Sequence, residues 1–582
     1  GSVSKLIADL RHCDESGKFD DRAALLGMLM DMVRSLRLET ADGHGSRGMR
    51  WHESTKRIFS LLNKYGGPRS HHLLKANTAG PHRRSSERFW RKHAEVQNPG
   101  INKHAFQKCV DILSPLLLQL GLGDGEVLPC EIAIDETGII SDINYDERSD
   151  ALIGCCGKTD DENHKCRPCV VVLGDDEETQ GKISEWCTKG IRAPYAQLIL
   201  LNPLSPRLPR LALALLPTCN TFTHLDVAET NKMLTGLFEE FLAPLGLVLT
   251  GFASDGDARR FKVQKSRMLR TELSSGSRFS LMHPGFTFHG LVDESNGHVS
   301  NIDMQDPKHD VKKLMGALCS HRILHVGKHL ASHSHNALTF EHYGAEATGM
   351  DRACVVRDDR QNFLAPVRCS GLKNDAMLKD LEAGAGPNVR AIDTAGTRAY
   401  LGVMREFALV FFSKKKTLTE RIEMASYGIH FMRYMRNYVD EAPGLTLKDN
   451  FVARQTFEHH SLALHSAILL ILAFAQMCPS QPCPLELTGS DGCEELFSAM
   501  AGCGKIQSHK RNINYQDGHR MIGDLNLTFE WGGDKDVPLV VTEGLPKTEY
   551  QHKYHEPTEG PDADLAQYPS KEDAEGAFAK GL

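Results

Sequence analysis

Three carboxylates in this sequence come at the ends of segments whose residues indicate buried structure. Asp135 ends an alternating, strand-like segment, Asp255 ends an apolar run over 247–254, and Glu494 lies where a helix is expected to begin. Carboxylates that converge on one spot repel one another unless a cation neutralises them. The pattern therefore predicts a site for two Mg²⁺ or Mn²⁺ ions, which could activate a water or a 3′-hydroxyl in phosphoryl transfer.

Each of these acids also has an ordinary structural interpretation. A strand-terminal aspartate often begins a turn, and a glutamate three residues after a helix N-cap is a common capping partner. The order of the elements is more specific than any one residue: a strand with Asp, a long helix, a strand with Asp, and a later helix with Glu. The adjacent acids Glu136, Asp257 and Glu495 could replace the three if the register differs by one or two positions.

The elements that must position these acids show a mixed pattern of strands and helices. Short apolar runs predict further strands at 151–156, 196–201 and 298–304. Helical periodicity predicts a long helix at 226–245, a basic helix at 259–270 and a helix that begins near Pro307. Residues 331–478 read as mostly helical, which indicates a large all-α segment between the second acid and the third.

Charge is distributed unevenly along the 582 residues, whose formal net charge is −7. Residues 44–110 carry 14 basic and 3 acidic side chains, interleaved with aromatic residues, whereas 528–582 carry 5 basic and 12 acidic ones. A basic, aromatic stretch is typical of a surface that follows a phosphate backbone, although a solvated basic face has the same composition. The total charge argues against a nucleic-acid partner, and its distribution argues for one.

With these motifs the sequence resembles the DDE/D transposases, in particular the P-element and hAT groups, whose ribonuclease H-like catalytic domain is split by a large helical insertion. The resembling segments are 133–137, 253–257, the Asp-Pro-x-His segment at 306–313, and the Asp-x-x-Glu-x-x-Phe-Ser segment at 491–498. Lys308 and Asp310 depart from the P-element pattern. The sequence also has no Gly-x₄-Gly-Lys-[Ser/Thr] loop, so a phosphate cradle in the insertion is not supported.

The resemblance implies a fold and a division of the chain. The fold class is an α/β ribonuclease H-like catalytic domain interrupted by a large all-α insertion, with an N-terminal helical basic region. The implied division is an N-terminal helical segment (1–45), a basic DNA-binding or dimerisation region (46–125), the first part of the catalytic domain (126–330), the insertion (331–478), the last part with the final Glu (479–525), and a partly flexible acidic tail (526–582).

The resemblance also implies a function: a DNA transposase that cleaves transposon ends and joins the freed 3′-hydroxyl to target DNA. Asp135, Asp255 and Glu494 would hold two Mg²⁺ or Mn²⁺ ions. The enzyme would work in the nucleus as a homodimer or larger assembly, because paired ends must be held together. A domesticated, inactive DNA-binding regulator and a ribonuclease H-like nuclease or resolvase remain alternatives. The candidate DNA contacts are Arg83, Arg84, Arg88, Arg91, Lys92, Arg259, Arg260, His309, Lys312 and Lys313.

A second metal is suggested by cysteine and histidine spacing. The sixteen cysteines have little regular spacing, which favours a reducing compartment over a disulfide scaffold. Cys166 and Cys169 have the spacing of half a zinc site, and His460 and His465 could complete it, although histidines on a helix more often pack in a core. The longest apolar run, 467–475, is far below the roughly 20 residues of a membrane span and predicts a buried helix instead, so no membrane partner is expected.

Overall fold

The computed structural model places a mixed β-sheet at the centre of the chain. It describes residues 27–35, 49–65, 67–78, 80–93, 100–147, 151–158, 166–172, 177, 180–181, 192–268, 279–283, 286–292, 299–320, 322–356, 364–385, 390–503, 514–532 and 563–581. The strands are β1 (Leu128–Gly138), β2 (Asn144–Asp146), β3 (Ala151–Lys158), β4 (Cys166–Val172), β5 (Tyr195–Pro203), β6 (Leu211–Thr218), β7 (Leu247–Ser254), β8 (Phe279–His283), β9 (Phe286–Val292), β10 (Val299–Ser300), β11 (Met304–Gln305), β12 (Leu324–Val326) and β13 (His329–Ala331).

Helices cover the sheet and fill most of the remaining chain. From the N-terminal side they are α1 (Glu53–Tyr65), α2 (Gly67–Thr78), α3 (Arg83–His93), α4 (Lys103–Leu120), α5 (His224–Phe241), α6 (Ala258–Met268) and α7 (Pro307–Cys319). They continue as α8 (His333–Thr348), α9 (Arg352–Val355), α10 (Leu364–Cys369), α11 (Leu372–Ala383), α12 (Ala395–Phe412), α13 (Leu418–Glu441), α14 (Leu447–Asn450), α15 (Arg454–Met477), α16 (Asp491–Cys503), α17 (Tyr515–Gly532) and α18 (Lys571–Lys580).

The central sheet has five strands in the order β11-β7-β1-β5-β6. The neighbours β1 and β7 are parallel, as are β7 and β11, while β1 with β5 and β5 with β6 are antiparallel. Every residue of β6 is buried, and so are the first eight of β1. Strands buried on both faces carry apolar side chains on both, so β6 shows little of the alternation from which a strand is recognised.

The structure confirms most of the predicted elements and corrects three. Strands at 196–201 and 247–254 and the helix from Pro307 are present, the helix with Asp306 as its N-cap. The strand β1 does not end at Asp135 but continues to Gly138, paired with β5. The predicted strand at 151–156 lies in a separate sheet with β2 and β4. The predicted strand at 298–304 is two short strands in different sheets, β10 and β11.

The helices that follow α7 pack into the same core as the sheet. From His333 to Met477, every described element is a helix. Buried side chains of α12, α13 and α15 form one continuous apolar cluster with those of β1, β5 and β7. Helix α15 is long and apolar enough to span a membrane, but 83% of its apolar window is buried, as predicted for a buried helix from the run at 467–475. The sheet and these helices therefore stabilise each other through shared apolar burial.

The described part of the acidic tail packs against the protein. The hydroxyl of Ser426 on α13 donates a hydrogen bond of 2.6 Å to the carbonyl of Phe578 on α18. Lys580 forms an ion pair of 2.7 Å with Glu423. Residues 563–581 are therefore not the free end that their composition indicated, because a capped helix docks there on α13.

Candidate active site

Parallel pairing of β1 and β7 sets the first two acids side by side. Ala133 lies opposite Ala253 in the register of the two strands. Asp135 and Asp255 each come two residues later, at matching levels of neighbouring strands. Both line a cleft of about 460 Å³ together with His309 and Lys313 of α7. Two predicted site residues thus line the same cleft although they are 120 positions apart in the sequence.

The third acid lies on the first turn of α16, next to His309 at the border of this cleft. The imidazole of His309 lies between two carboxylates, with Nε2 3.5 Å from Oε1 of Glu494 and Nδ1 3.4 Å from Oδ1 of Asp306. Asp306 is buried, and its Oδ2 accepts hydrogen bonds from the backbone N–H and hydroxyl of Ser490, at 3.1 and 3.0 Å. Asp306 thereby ties the start of α7 to the segment that carries Glu494.

Sequence reasoning did not assign Asp306 a role. The signal was present, since an aspartate before a proline and three residues before a histidine has the pattern of a helix N-cap. In the structure Oδ1 of Asp306 accepts the backbone N–H of His309 at 3.0 Å. The same carboxylate therefore caps α7, faces His309 and holds the loop before α16.

Burial, with repulsion between the acids, raises the pKa of Asp135, and burial also acts on Glu494. Burial raises the pKa of Asp135 to about 7, and the negative charges of Asp255 and Glu494 add to this shift. Burial also raises the pKa of Glu494. The nearby His309 behaves oppositely: although burial favours the neutral imidazole, Asp306 raises the pKa of His309 to about 9. The cleft thus contains mutually repelling carboxylates beside one protonated histidine.

The adjacent acids that were alternative candidates are each neutralised by an arginine. Arg260 pairs with Glu136, Arg259 lies 2.6 Å from Asp257, and Arg210 lies 2.9 Å from Glu495. Within the described residues, Asp135, Asp255 and Glu494 form no ion pair with a lysine or arginine side chain. Ion pairing with arginine therefore distinguishes the three alternative acids from Asp135, Asp255 and Glu494.

The turn after β7 is shaped by Lys313 and by a glycine. The ammonium of Lys313 donates to the carbonyl of Asp255 at 3.0 Å and to Nδ1 of His459 at 2.9 Å. Burial, with Lys313 adding, lowers the pKa of His459 to about 3, so its Nδ1 is free to accept. Gly256 has φ +97°, and a Cβ there would lie 2.4 Å from Nζ of Lys313. Only glycine fits after Asp255.

The predicted DNA contacts fall into three groups. On α3, all five basic residues are exposed, and Arg83 also pairs with Glu87 at 3.0 Å. Around the cleft, His309 and Lys312 lie near Glu494, and Lys313 is bonded inward. On α6 the expectation needs correction.

The two arginines of α6 are engaged with their own chain. Arg260 is buried against Glu136, and Arg259 bonds Asp257 and the carbonyl of Asn220 while its guanidinium lies 3.7 Å from the ring centre of Phe222. Both guanidiniums donate to partners inside the protein, and the side chain of Arg260 is only 6% exposed, which argues against these two predicted DNA contacts.

The histidine half of the predicted zinc site is not assembled. His460 and His465 are buried on α15, and side chains five residues apart on a helix point about 140° away from each other. The ring of His460 stacks on Phe407 at 4.8 Å, and Nδ1 of His465 lies 2.7 Å from the carbonyl of Ser461. Cys166 and Cys169 lie on β4, whose side chains are outside the described part of the structure, so the cysteine half stays a prediction.

The carboxylates at the cleft are the side chains that could bind a divalent ion. Asp135, Asp255 and Glu494 have no arginine or lysine partner among the described residues, and carboxylates are the hard oxygen ligands that Mg²⁺ and Mn²⁺ prefer. In the part of the chain that the structure describes, no group of three or more His, Cys, Asp or Glu side chains stands close enough to hold a metal ion. The donor set therefore fits by chemistry, and these side chains would have to draw together to bind.

Comparison with known proteins shows a likeness in fold alone. No family model and no curated protein matches the sequence. Among solved structures, the chain is similar to the "Drosophila P element transposase strand transfer complex", with a TM-score of 0.56 at 12% sequence identity. The similarity covers 89% of this chain and 98% of that one. The chain therefore has a transposase-like fold over most of its length.

Proposed function

We propose that this protein is a DNA transposase that cleaves DNA at transposon ends and joins the freed 3′-hydroxyl to target DNA. The observation that carries the proposal is the pairing of acids at the cleft. Among the residues that the structure describes, Asp135, Asp255 and Glu494 have no arginine or lysine partner, whereas the acid next to each of them, or two positions on, is paired with an arginine. The fold similarity to a P element transposase complex supports the same class.

The sheet supports a ribonuclease H-like catalytic domain in the DDE/D arrangement. Its first strand carries one acid, the parallel neighbour ends just before the second, and a later helix brings the third. The helices from α8 to α15 come between α7 and α16, which supports their role as an insertion that splits the domain. The P-element and hAT resemblance of the motifs agrees with this division.

The proposed chemistry is a two-metal phosphoryl transfer. Asp135, Asp255 and Glu494 would hold two Mg²⁺ or Mn²⁺ ions, which when bound supply Lewis acidity and lower the pKa of the attacking hydroxyl. His309, kept protonated by Asp306, could donate a hydrogen bond to a phosphate oxygen at the cleft. Lys312 adds positive charge beside Glu494. Asp306 keeps α7 and α16 together, so that the second and third acids stay on one cleft.

The exposed basic residues of α3 would bind the DNA backbone outside the cleft. Arg84, Arg88 and Arg91 are all exposed within three turns of this helix. Phosphate contacts of this kind position a protein on DNA without reading its sequence. Because two transposon ends must be joined in one reaction, we propose that the enzyme works as a homodimer or larger assembly. We also propose that it works in the nucleus.

The test is an excision and strand-transfer assay with the full chain. The substrate is a plasmid carrying the genomic DNA that flanks the gene, incubated with Mg²⁺ or Mn²⁺. We expect excised and joined products, and we expect Asp135→Asn, Asp255→Asn and Glu494→Gln each to reduce them by at least about 10³-fold. The matched control is Glu495→Gln, which changes the next residue of the same helix and should lose less than about threefold, because Arg210 binds that carboxylate outside the reaction.

Each alternative predicts a different result. End cleavage without joining would indicate a nuclease or resolvase. DNA binding without cleavage in either metal would indicate an inactive DNA-binding regulator. Activity that survives all three substitutions would show that other residues carry the chemistry.

A further inference from the structure

A largely buried ion pair lies beside the first acid of the cleft. The side chain of Arg260 on α6 is 6% exposed and that of Glu136 on β1 is 15% exposed. Nη2 of Arg260 donates to Oε1 of Glu136, and Nε2 of Gln197 on β5 donates to the same oxygen at 2.9 Å. Three elements thereby fix a carboxylate that is the chain neighbour of Asp135.

Glu136 borders the same cleft as Asp135 and Asp255. Without a partner it would be a further negative charge among the proposed metal ligands, and it would compete with Asp135 for an ion. The two residues are also joined directly, because Oδ1 of Asp135 accepts the backbone N–H of Glu136 at 2.7 Å. A shift of the backbone at Glu136 would therefore disturb the carboxylate of Asp135.

The position of Arg260 is itself constrained. Its backbone N–H donates to Oδ1 of Asp257 at 3.2 Å, and its guanidinium lies 5.5 Å from the ring centre of Phe222. The second terminal nitrogen, Nη1, has no protein partner among the described residues. Arg260 borders a small cavity that is also lined by Asn231 and Ser254, whose buried Oδ1 and Oγ likewise have no hydrogen-bond partner in the described part of the chain.

This cavity offers space for water beside the guanidinium of Arg260. The space available to water is about 70 Å³, which holds a few molecules, and three polar atoms stand ready to bind them. Arg260 therefore lines both this cavity and the cleft.

We propose that Arg260 is a positioning residue that holds Glu136 away from the metal ligands, so that Asp135 alone of the two adjacent acids serves the reaction. This inference rests on the proposed function and adds a role for a residue that the sequence assigned to DNA contact. The charge of Arg260 is thus used to select one carboxylate from a pair.

The test is a double-mutant cycle with Arg260→Met, Glu136→Gln and the double variant, which removes both charges while keeping similar volumes. Mn²⁺ binding is measured from the electron paramagnetic resonance of the free ion, and strand transfer is measured in parallel. We expect Arg260→Met to bind Mn²⁺ about tenfold more tightly, because the site gains a free carboxylate, yet to transfer DNA about 10²-fold more slowly.

The other two variants should complete the cycle. Glu136→Gln leaves Arg260 unpaired beside the site, so we expect Mn²⁺ binding about fivefold weaker and a modest loss of activity. The double variant should return Mn²⁺ affinity to within about twofold of the wild type and recover most of the activity lost in Arg260→Met. A merely structural pair would change thermal stability without moving affinity and rate in opposite directions.

Several results would overturn the inference. If Glu136→Gln is as inactive as Asp135→Asn, Glu136 is itself a metal ligand. If Arg260→Met and the double variant lose activity equally and both weaken DNA binding, Arg260 contacts DNA. If the wild type transfers no DNA, the proposed function fails, while the Mn²⁺ affinities still decide whether the pair controls the acids of the cleft.

Discussion

The cleft and helix α3 use charge in opposite ways. At the cleft, acids from β1, from the turn after β7 and from α16 come near one another although the first and last are 359 positions apart, and arginines neutralise the acids next to them. On α3, basic residues lie within one helix of 11 residues, and they are exposed. The cleft depends on long-range packing, whereas α3 depends on local composition.

The two regions also differ in how they are anchored. The cleft is held by several buried polar contacts, among them those of Asp306 and Lys313. Helix α3 buries only Ser86 and Trp90 and is joined to α17 through Asp524, which accepts from Nε1 of Trp90 at 2.7 Å. Changes in the cleft should therefore alter both stability and chemistry, and changes on the face of α3 should alter DNA binding alone.

The largest effect is expected where the cleft is tightest. Gly256→Val would place a branched side chain at a positive φ and against Lys313 and His459, which we expect to lower the free energy of unfolding by at least about 4 kcal/mol. The control is Gly444→Val, because Gly444 has φ +82° but nothing within 4 Å of its Cβ position. That variant should lose only the free energy that a non-glycine residue costs at a positive φ, about 1 to 2 kcal/mol. Equal losses in thermal unfolding would contradict the close packing behind Asp255.

A smaller effect should follow from releasing the anchor of α3. Asp524→Ala leaves the buried indole N–H of Trp90 without this acceptor and breaks the ion pair with Lys64, which we expect to destabilise the protein by about 3 kcal/mol. DNA affinity should fall with it, because the orientation of α3 depends on this contact. Asp517→Ala, an exposed acid on the same helix α17, is the control for thermal unfolding and for a DNA-binding titration. Unchanged DNA affinity in Asp524→Ala would separate α3 from the DNA interface.

Removing charge from the exposed face of α3 should change DNA binding without changing stability. For the triple variant Arg84→Gln, Arg88→Gln and Arg91→Gln we expect about 30-fold weaker DNA binding at 0.1 M salt. The slope of log affinity against log salt concentration should become shallower by about 2 to 3. The matched control replaces three exposed lysines from other parts of the chain with glutamine: Lys232, Lys328 and Lys448. If both triple variants lose the same affinity, binding reflects overall charge and not α3.

The strands and helices that carry the acids could be predicted from the sequence better than the ion pairs and hydrogen bonds around the acids. Strand and helix patterns are local, so the strand before Asp255, the helix from Pro307 and the start of the helix with Glu494 could be found from neighbouring residues. The strand β6 was missed because both its faces are buried, which removes the alternation that marks a strand. The strand at 151–156 was found but not its sheet, because pairing partners are not encoded locally.

The roles of the charged residues around the acids were harder to predict for the same reason. Arg260 looked like a DNA contact because its neighbours on α6 are basic, and only the folded chain shows that Glu136, 124 positions away, is its partner. Asp306 had a local capping signal, but its contact with Ser490 depends on the approach of α16. Ion pairs between distant elements decide which acids remain unpaired, and these pairs leave no pattern of spacing.

Among the described acids near the cleft, some have no arginine or lysine partner and others are paired with an arginine. Glu131 on β1 differs from both, because a buried acid can also be neutralised by binding a proton. Burial raises the pKa of Glu131 to about 8, while hydrogen bonds from Asn202 and the backbone N–H of Gly489 and the charge of Arg210 oppose the shift and Asp306 adds to it. The folded pKa lies above the unfolded one, so the folded state retains the proton and stability falls as pH rises toward 8.

Between pH 7 and pH 8 this group should reduce the free energy of unfolding by about 1 kcal/mol. Glu131→Gln keeps an oxygen that can accept hydrogen bonds from Asn202 and Gly489, and it has no proton to lose. Its unfolding temperature should therefore fall less over the same pH interval. The comparison uses the difference between wild type and variant at each pH, since other groups titrate equally in both. Identical pH dependence would show that Glu131 is ionised in the folded protein and stabilised there by Arg210, which would make it a paired acid like Glu136.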